Sequence, residues 1–424
     1  MLKAGLRSIA ALPDMMDLGP AEAPAFNPQP RDPRLADWLK DYPPLLFSER
    51  LYQSVELMER YSIDLSIDLL GRLNVIDELH DWRSAHELCQ ALSFQSRFRS
   101  AVTWLVERVI ETGCVEARTT GNNRSYRLRR APWLPDLARL RGIGLEIDPG
   151  NSPTFALLDK AASVYPAVAR GEKSGEQELF GTETIPLWLN YFHNDNLTYA
   201  VNNWPGVVFA AHRLSSRPRL RILEVGAGAG SASGILLRWF DEQGLLTNIK
   251  RYLITEPNAF FRRRGQRELS KQFPDVPLEW QALDINLPWR NQVIAGDEFD
   301  LVYGVNVLHV AKDLLFSLGQ ARDALADDGW LVIGECVRPY VDQPIYAELM
   351  FQILDSFTDV ITDPKIRPNS GFLNTDHWRR AFTRAGFERV EVTPDIDRIR
   401  DIYPHFFTGA ISGCRPATIN AQIE

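Results

Sequence analysis

Disulfide and zinc chemistry have little to work with in this sequence. Its four cysteines, Cys89, Cys114, Cys336 and Cys414, are scattered over 424 residues, with no Cys-x-x-Cys pair and no Cys/His cluster. That argues against a disulfide framework or a structural zinc site and for a reducing compartment, the cytoplasm. No run approaches the ~20 apolar residues that a spanning helix needs, so no membrane partner is expected. Lys3 and Arg7 precede Ile9-Ala10-Ala11-Leu12, but this stretch is too short for a signal-peptide core and is closed by Pro13 and Asp14. A basic surplus is also missing. The formal net charge of -8 speaks against a general nucleic-acid binder. There is no internal repeat and no His/Cys/Asp grouping with ligand spacing, so no metal is expected. What remains is 45% hydrophobic and 24% charged, the balance of a globular chain long enough for two or three domains.

The texture changes along the chain. Residues 1–45 hold eight prolines and little periodicity, and read as an irregular arm. Residues 46–150 form the next unit. From Glu49 a helical stripe runs through Ile63, Ile67, Leu70, Leu73 and Val75. A second helix fits Ser84 to Leu92 with Ser84 as its cap, and a third fits Phe98 to Glu111 with Gly113 as its stop. Cys114–Arg118 and Ser125–Leu128 then read as a hairpin around Thr-Gly-Asn-Asn. Three helices and a hairpin give the winged-helix order. Residues 151–215 are helical and rich in aromatics and amides. They suit either a lid over a ligand, with Trp188, Tyr191, His193 and Asn203 as candidate substrate contacts, or an ordinary helical linker whose aromatics are core.

From 216 to 424 short apolar runs alternate with amphipathic helices. The runs are Arg221–Val225, Tyr252–Thr255, Leu278–Leu283, Phe299–Val302, Trp330–Ile333, Arg389–Val392 and Phe406–Ser412. Seven such runs bounded by Gly and Asp predict a doubly wound α/β sheet, parallel except for one antiparallel edge hairpin. The first run ends in Glu224-Val225-Gly226-Ala227-Gly228-Ala229-Gly230. Glycines there let the backbone turn sharply and approach a ligand at the next helix's amino end. A dinucleotide fingerprint would want its third glycine at 231, where this chain has Ser231, so NAD(H) is not expected. The second run is followed by Glu256 and Pro257, where Rossmann folds hold a ribose. The third is followed by Asp284 and Ile285, an acceptor and an apolar contact suited to an adenine. Each acid alone reads equally well as a solvated cap. Three at successive strand ends point to a nucleoside-type cofactor.

His309 follows the fourth strand, and Glu335 ends the fifth. Across neighbouring strands a carboxylate would orient the imidazole and raise its basicity. The plainer alternatives are a helix-capping histidine and a Glu335–Arg338 ion pair.

The tight glycine spacing with Glu224 two residues ahead resembles class I S-adenosylmethionine-dependent methyltransferases, with their Rossmann-like seven-stranded sheet. In that family the acid lies near the amino group of the methionine portion. The segments Asn306–Leu314, Leu331–Pro339 and Thr255–Phe261 resemble the C-methyltransferase domains of polyketide synthases, as do Val168–Lys173 and Glu178–Phe180 upstream. The resemblance covers about 155–415. It implies S-adenosyl-L-methionine as cofactor, with Glu224, Gly226, Gly228, Gly230, Glu256, Pro257, Asp284, Ile285 and Asn306 around it. It further implies that His309, oriented by Glu335, removes the α-proton of a β-ketoacyl thioester in natural-product biosynthesis. The acceptor would be a small molecule or bound to an acyl carrier protein. Related O-methyltransferases share this framework, and the winged-helix-like front resembles theirs, so a hydroxyl acceptor stays open. A DNA-binding regulator is the remote third reading, on the strength of Arg97, Arg99, Arg118, Arg124, Arg127, Arg129 and Arg130. The aliphatic third helix and acidic whole oppose it. The front domain is expected to form a homodimer interface or shape the acceptor pocket.

Overall fold

The computed structural model describes residues 21–44, 46–121, 123–214, 217–292 and 298–417; Lys3 to Asp14 lie outside them. In the proline-rich arm the chain makes one helical turn, Arg34–Trp38. Leu35, Leu39 and Tyr42 are buried and tie the arm to the body.

The front helices form where their caps allow. Ser48 accepts the Leu51 amide and starts a helix over Glu49–Arg72. That helix stops earlier than its apolar stripe, because Asn74 turns left-handed (φ 57°) and Val75 opens a separate turn. Ser84 and Glu87 cap Ala85–Ala91 reciprocally. A third helix, Arg99–Ile110, follows. Three short strands, β1 (Arg83–Ser84), β2 (Val115–Thr120) and β3 (Asn123–Leu128), pair antiparallel in the order β1-β3-β2.

Seven further strands build the main sheet: β4 (Leu220–Glu224), β5 (Ile249–Thr255), β6 (Leu278–Gln281), β7 (Phe299–Val305), β8 (Leu325–Cys336), β9 (Glu388–Thr393) and β10 (Thr408–Cys414). Their order is β6-β5-β4-β7-β8-β10-β9, with β10 antiparallel to both neighbours. The expected antiparallel hairpin closes one edge of the sheet, with β10 between β8 and β9 and β9 at the rim. β10 is buried along its whole length, whereas β9 is largely open; the apolar strand takes the covered place. Alternate residues feed opposite faces, as the two-residue period of a strand demands. Ile222, Ile254, Leu301 and Val332 join one hydrophobic cluster. Leu223, Leu253, Val302 and Leu331 join the other, which also takes in front-helix residues such as Leu57, Leu69 and Leu105. The order reverses between β4 and β7, and the crevice opening there at the carboxyl ends is where such sheets take ligands.

Front and sheet regions are bonded as well as packed. Trp104 donates to Glu348 (2.8 Å), and the same carboxylate accepts from Arg338 (2.9 and 2.7 Å) and from the amides of Ile345 and Phe372 (each 3.3 Å). The fully buried Arg108 donates to the Pro344 carbonyl (3.0 Å) and pairs with Glu59, and Tyr165 donates to the Leu349 carbonyl (2.6 Å). Other front arginines are also engaged within the chain. Arg97 pairs with Asp355, Arg124 with Glu107 and Arg127 with Glu116, while Arg118 and Arg127 lie over the Trp82 ring. Among the described residues no helix is long and apolar enough to cross a membrane.

Candidate active site

The turn after β4 depends on glycine. Gly226, Gly228 and Gly230 have φ of +63°, +56° and +84°, a region costly for other residues. A Cβ at Gly226 would strike the Val307 side chain, and one at Gly228 would project into open space. Gly230 then leads into the helix Ser231–Glu242.

Glu224, the last residue of β4, is almost wholly buried. Its Oε2 accepts from Ser233 Oγ (2.6 Å) and Tyr252 OH (2.5 Å). Burial pushes the carboxyl up to about 7, although these two bonds act the other way. Among the described residues no basic side chain forms an ion pair with it. Glu256, just past β5, braces the glycine turn, accepting the amides of Gly228 (2.9 Å) and Asn258 (2.8 Å). Burial raises its pKa against these bonds. Pro257 beside it is exposed. Past β6, Asp284 is exposed and accepts the Asn286 amide (2.9 Å), and Ile285 is buried.

The strand tips of β7 and β8 are laced together. Asn306, itself left-handed (φ 52°), donates its amide to Gly334 (2.8 Å) and accepts from the Cys336 amide (2.8 Å). Parallel pairing of β7 with β8 thus brings His309 beside Glu335. His309 Nδ1 lies 2.7 Å from Glu335 Oε2. Glu335 Oε1 accepts the amides of Val307 (3.2 Å), Leu308 (2.9 Å) and His309 (3.3 Å). Both side chains are buried, at 5% and 0% exposure. Arg338 pairs with Glu348 instead, so the alternative Glu335–Arg338 ion pair does not form. With Nδ1 engaged, Nε2 is the imidazole nitrogen left for chemistry.

A cavity of about 250 Å³ joins these parts. Glu224, Gly226, Gly228, Asn306 and His309 line its sheet side, and Trp188, Tyr191, Phe192 and Tyr199 face them from the middle segment. Phe372 and Phe357 pack on the His309 ring at 4.5 and 5.9 Å between centroids. The structure does not bring His193 or Asn203 to this wall. His193 is exposed beside Asp195 in a separate hollow. Asn203 is buried and donates to Asn194 (2.8 Å). Residues of the site that the sequence did not single out include Phe192, Tyr199, Ser233, Tyr252, Phe357 and Phe372. A wider cleft of about 870 Å³ between the helix Arg99–Ile110 and residues 338–370 contains neither the glycine turn nor His309. Among the described residues no group of three or more His, Cys, Asp or Glu is placed to hold a metal.

Residues 206–392, which include the glycine turn, His309 and Glu335, match the family model described as a methyltransferase domain. That match spans somewhat less than half of the chain. Polyketide synthase PksR of Bacillus subtilis (strain 168) is 27% identical over 241 residues, 55% of this chain and 9% of that protein. The chain spans about a tenth or less of the curated relatives it matches. Among solved structures, the CurJ carbon methyltransferase superposes with a TM-score of 0.73 at 21% identity, covering 91% of this chain and 97% of that one. The trans-methyltransferase CalH, solved in complex with SAH, gives 0.59 at 18% identity, covering 84% and 90%. The seven-stranded sheet has the class I methyltransferase fold, and that fold family implies S-adenosylmethionine as cofactor. The chain's residues fit that cofactor on two counts. Glu224 is a buried acid still lacking a cationic partner, and Gly228 leaves open the space a side chain would fill.

Proposed function

We propose that this methyltransferase domain methylates a carbon atom of an activated acyl acceptor such as a β-ketoacyl thioester, free or held on an acyl carrier protein. The observation that carries the reading is the buried His309–Glu335 pair, 2.7 Å apart, opening on the same cavity as the glycine turn. S-adenosylmethionine, when bound, supplies an electrophilic methyl group on a sulfonium. Glu224 and the glycine turn would hold its methionine portion, and Glu256, Asp284 and Ile285 its nucleoside. His309 Nε2 would take the acceptor's α-proton, leaving an enolate carbon nucleophilic toward the methyl group that the cofactor would supply, with S-adenosylhomocysteine as the departing thioether. Glu335 stabilises the imidazolium without itself taking the proton. The aromatic walls from Trp188, Tyr191, Phe357 and Phe372 exclude water, which strengthens every electrostatic contact inside.

The test is intact-mass measurement of the protein's products. Panels of β-ketoacyl carrier proteins and of hydroxylated small molecules are incubated with S-adenosylmethionine. A methylene mass gain on the β-ketoacyl panel supports the proposal. A gain confined to hydroxylated compounds transfers it to oxygen and sinks the carbon reading.

The raised Glu224 carboxyl has its own consequence. A proton held with a pKa of about 7 in the free protein must leave when a ligand ammonium arrives, since the cation favours the carboxylate. Affinity for S-adenosylhomocysteine should therefore rise as pH climbs through about 7, by about tenfold from pH 6 to 8, with protons released at the lower pH. Calorimetry in two buffers of different ionisation enthalpy measures that release. Binding without it at pH 6 would remove Glu224 from the ammonium site.

A further inference from the structure

The turn that carries His309 is held from both ends, and only one holder belongs to the pair already described. Residues Val307 to Ala311 make little more than one turn of helix. Glu335 collects the amides at its start. At the other end Arg367 donates through Nη2 to the His309 carbonyl and through Nη1 to the Ala311 carbonyl. An anion thus sits on the amide end of this turn and a cation on its carbonyl end, each opposite the partial charge it prefers.

Arg367 is an expensive residue to place there. Its side chain is 1% exposed, its Nε has no partner, and among the described residues none of its nitrogens reaches a carboxylate. Burial pulls the guanidinium down to about 10, with Glu335 and Asp313 the charges that favour its ionised form. Asp313 is occupied in capping the next helix at the Phe316 amide (3.1 Å), and Lys312 turns outward to Asp359 (3.0 Å). A buried arginine without a direct ion pair is costly unless its donors are well used. The chain anchors it firmly, as Arg367 and Asp363 exchange backbone bonds in both directions (2.7 and 2.9 Å).

We propose that Arg367 is a positioning residue for the base: by bridging the carbonyls of His309 and Ala311 it fixes the turn whose amides hold Glu335, and so sets the imidazole against the carboxylate and toward the cavity. This rests on the reading of His309 as base. The planar guanidinium suits two carbonyls two residues apart; a lysine ammonium keeps the charge but not the fork.

The experiment compares wild-type protein, Arg367→Met and Arg367→Lys in the full chain. Hydrogen exchange of Val307–Ala311 and the downfield NMR signal of the imidazole–carboxylate proton are recorded. Fold integrity is checked by S-adenosylhomocysteine affinity, which should stay within about twofold because Arg367 does not touch the glycine turn. Arg367→Met should speed exchange of this turn about tenfold or more and broaden the shared proton away, with partial rescue in Arg367→Lys. Unchanged exchange and an unchanged proton signal in a folded Arg367→Met protein overturn the proposal. If Arg367→Met does not fold, Arg367→Lys decides: faster exchange at 307–311 alone supports the clamp, and exchange equal to wild type ends it. None of these readouts uses turnover. A failure of His309 as base would show in His309→Ala kinetics with the clamp intact, so the two failures stay distinguishable.

Discussion

His309→Ala lowers turnover by about 10²- to 10⁴-fold, the range in which a positioned general base acts, while leaving S-adenosylhomocysteine affinity within about twofold. An α-carbon flanked by a thioester is a poor nucleophile until its proton leaves, and Nε2 of His309 is the basic nitrogen the cavity offers. The imidazole follows β7 and bonds to Glu335, whereas Glu224 at the end of β4 bonds to Ser233 and Tyr252, so its loss leaves those contacts intact. The turn should survive as well, because Glu335 Oε1 still collects three amides. Single-turnover kinetics on the acceptor found by mass measurement are the proper test, since they isolate the chemical step. Full turnover in His309→Ala under those conditions would leave the pair a structural brace and place the base elsewhere.

Gly228→Val weakens S-adenosylhomocysteine binding by at least about 10²-fold, a loss of nearly 3 kcal/mol. Two effects add. The residue sits at φ +56°, where a β-branched side chain costs about 1–2 kcal/mol even with room around it. There is room, since an added Cβ meets nothing within 4 Å; that space belongs to the cavity, and the valine methyls would occupy it. The Gly228 amide also donates to Glu256, so a shifted turn disturbs the second acid too. Gly226 would be a poorer choice, because its Cβ collides with Val307 and the variant could fail by misfolding. Calorimetric titration with the thermal midpoint as control measures the effect. Affinity within about threefold of wild type, in protein that still unfolds cooperatively, would mean that the ligand does not lie against this turn.

Much of this could be read in advance, for identifiable reasons. Strand runs such as Arg221–Val225 and Phe299–Val302 announce themselves because both sheet faces are buried and the strands read as unbroken apolar stretches. The partnership of His309 and Glu335 follows from two strand tips being neighbours, which strand order alone predicts. The rest lies in residues whose meaning depends on where a long connection returns. Phe357, Phe372 and Arg367 come from the stretch between β8 and the helix Thr375–Arg384, which lacks periodicity, and nothing local says that it folds over His309. Val75 looked like the next rung of a helix until Asn74 turned left-handed. In the middle segment, composition marked Trp188, Tyr191, His193 and Asn203 alike. Composition carries no direction: the first two face the cavity, His193 faces outward, and Asn203 is bonded to Asn194.

The carboxylate of Glu348 ties together parts of the chain far apart in sequence. Trp104 from the front, Arg338 from beyond β8 and the amide of Phe372 all converge on it, and the Phe372 ring lies on His309. Separating the front helices from the sheet would take the Trp104 indole from that acid and the Pro344 carbonyl from Arg108, and would uncover the cluster that both regions share. The two regions are therefore not portable modules. A graft that replaced the front helices through Ile110 with another scaffold, however well matched in shape, would inherit the duty of supplying an indole N–H at this one point.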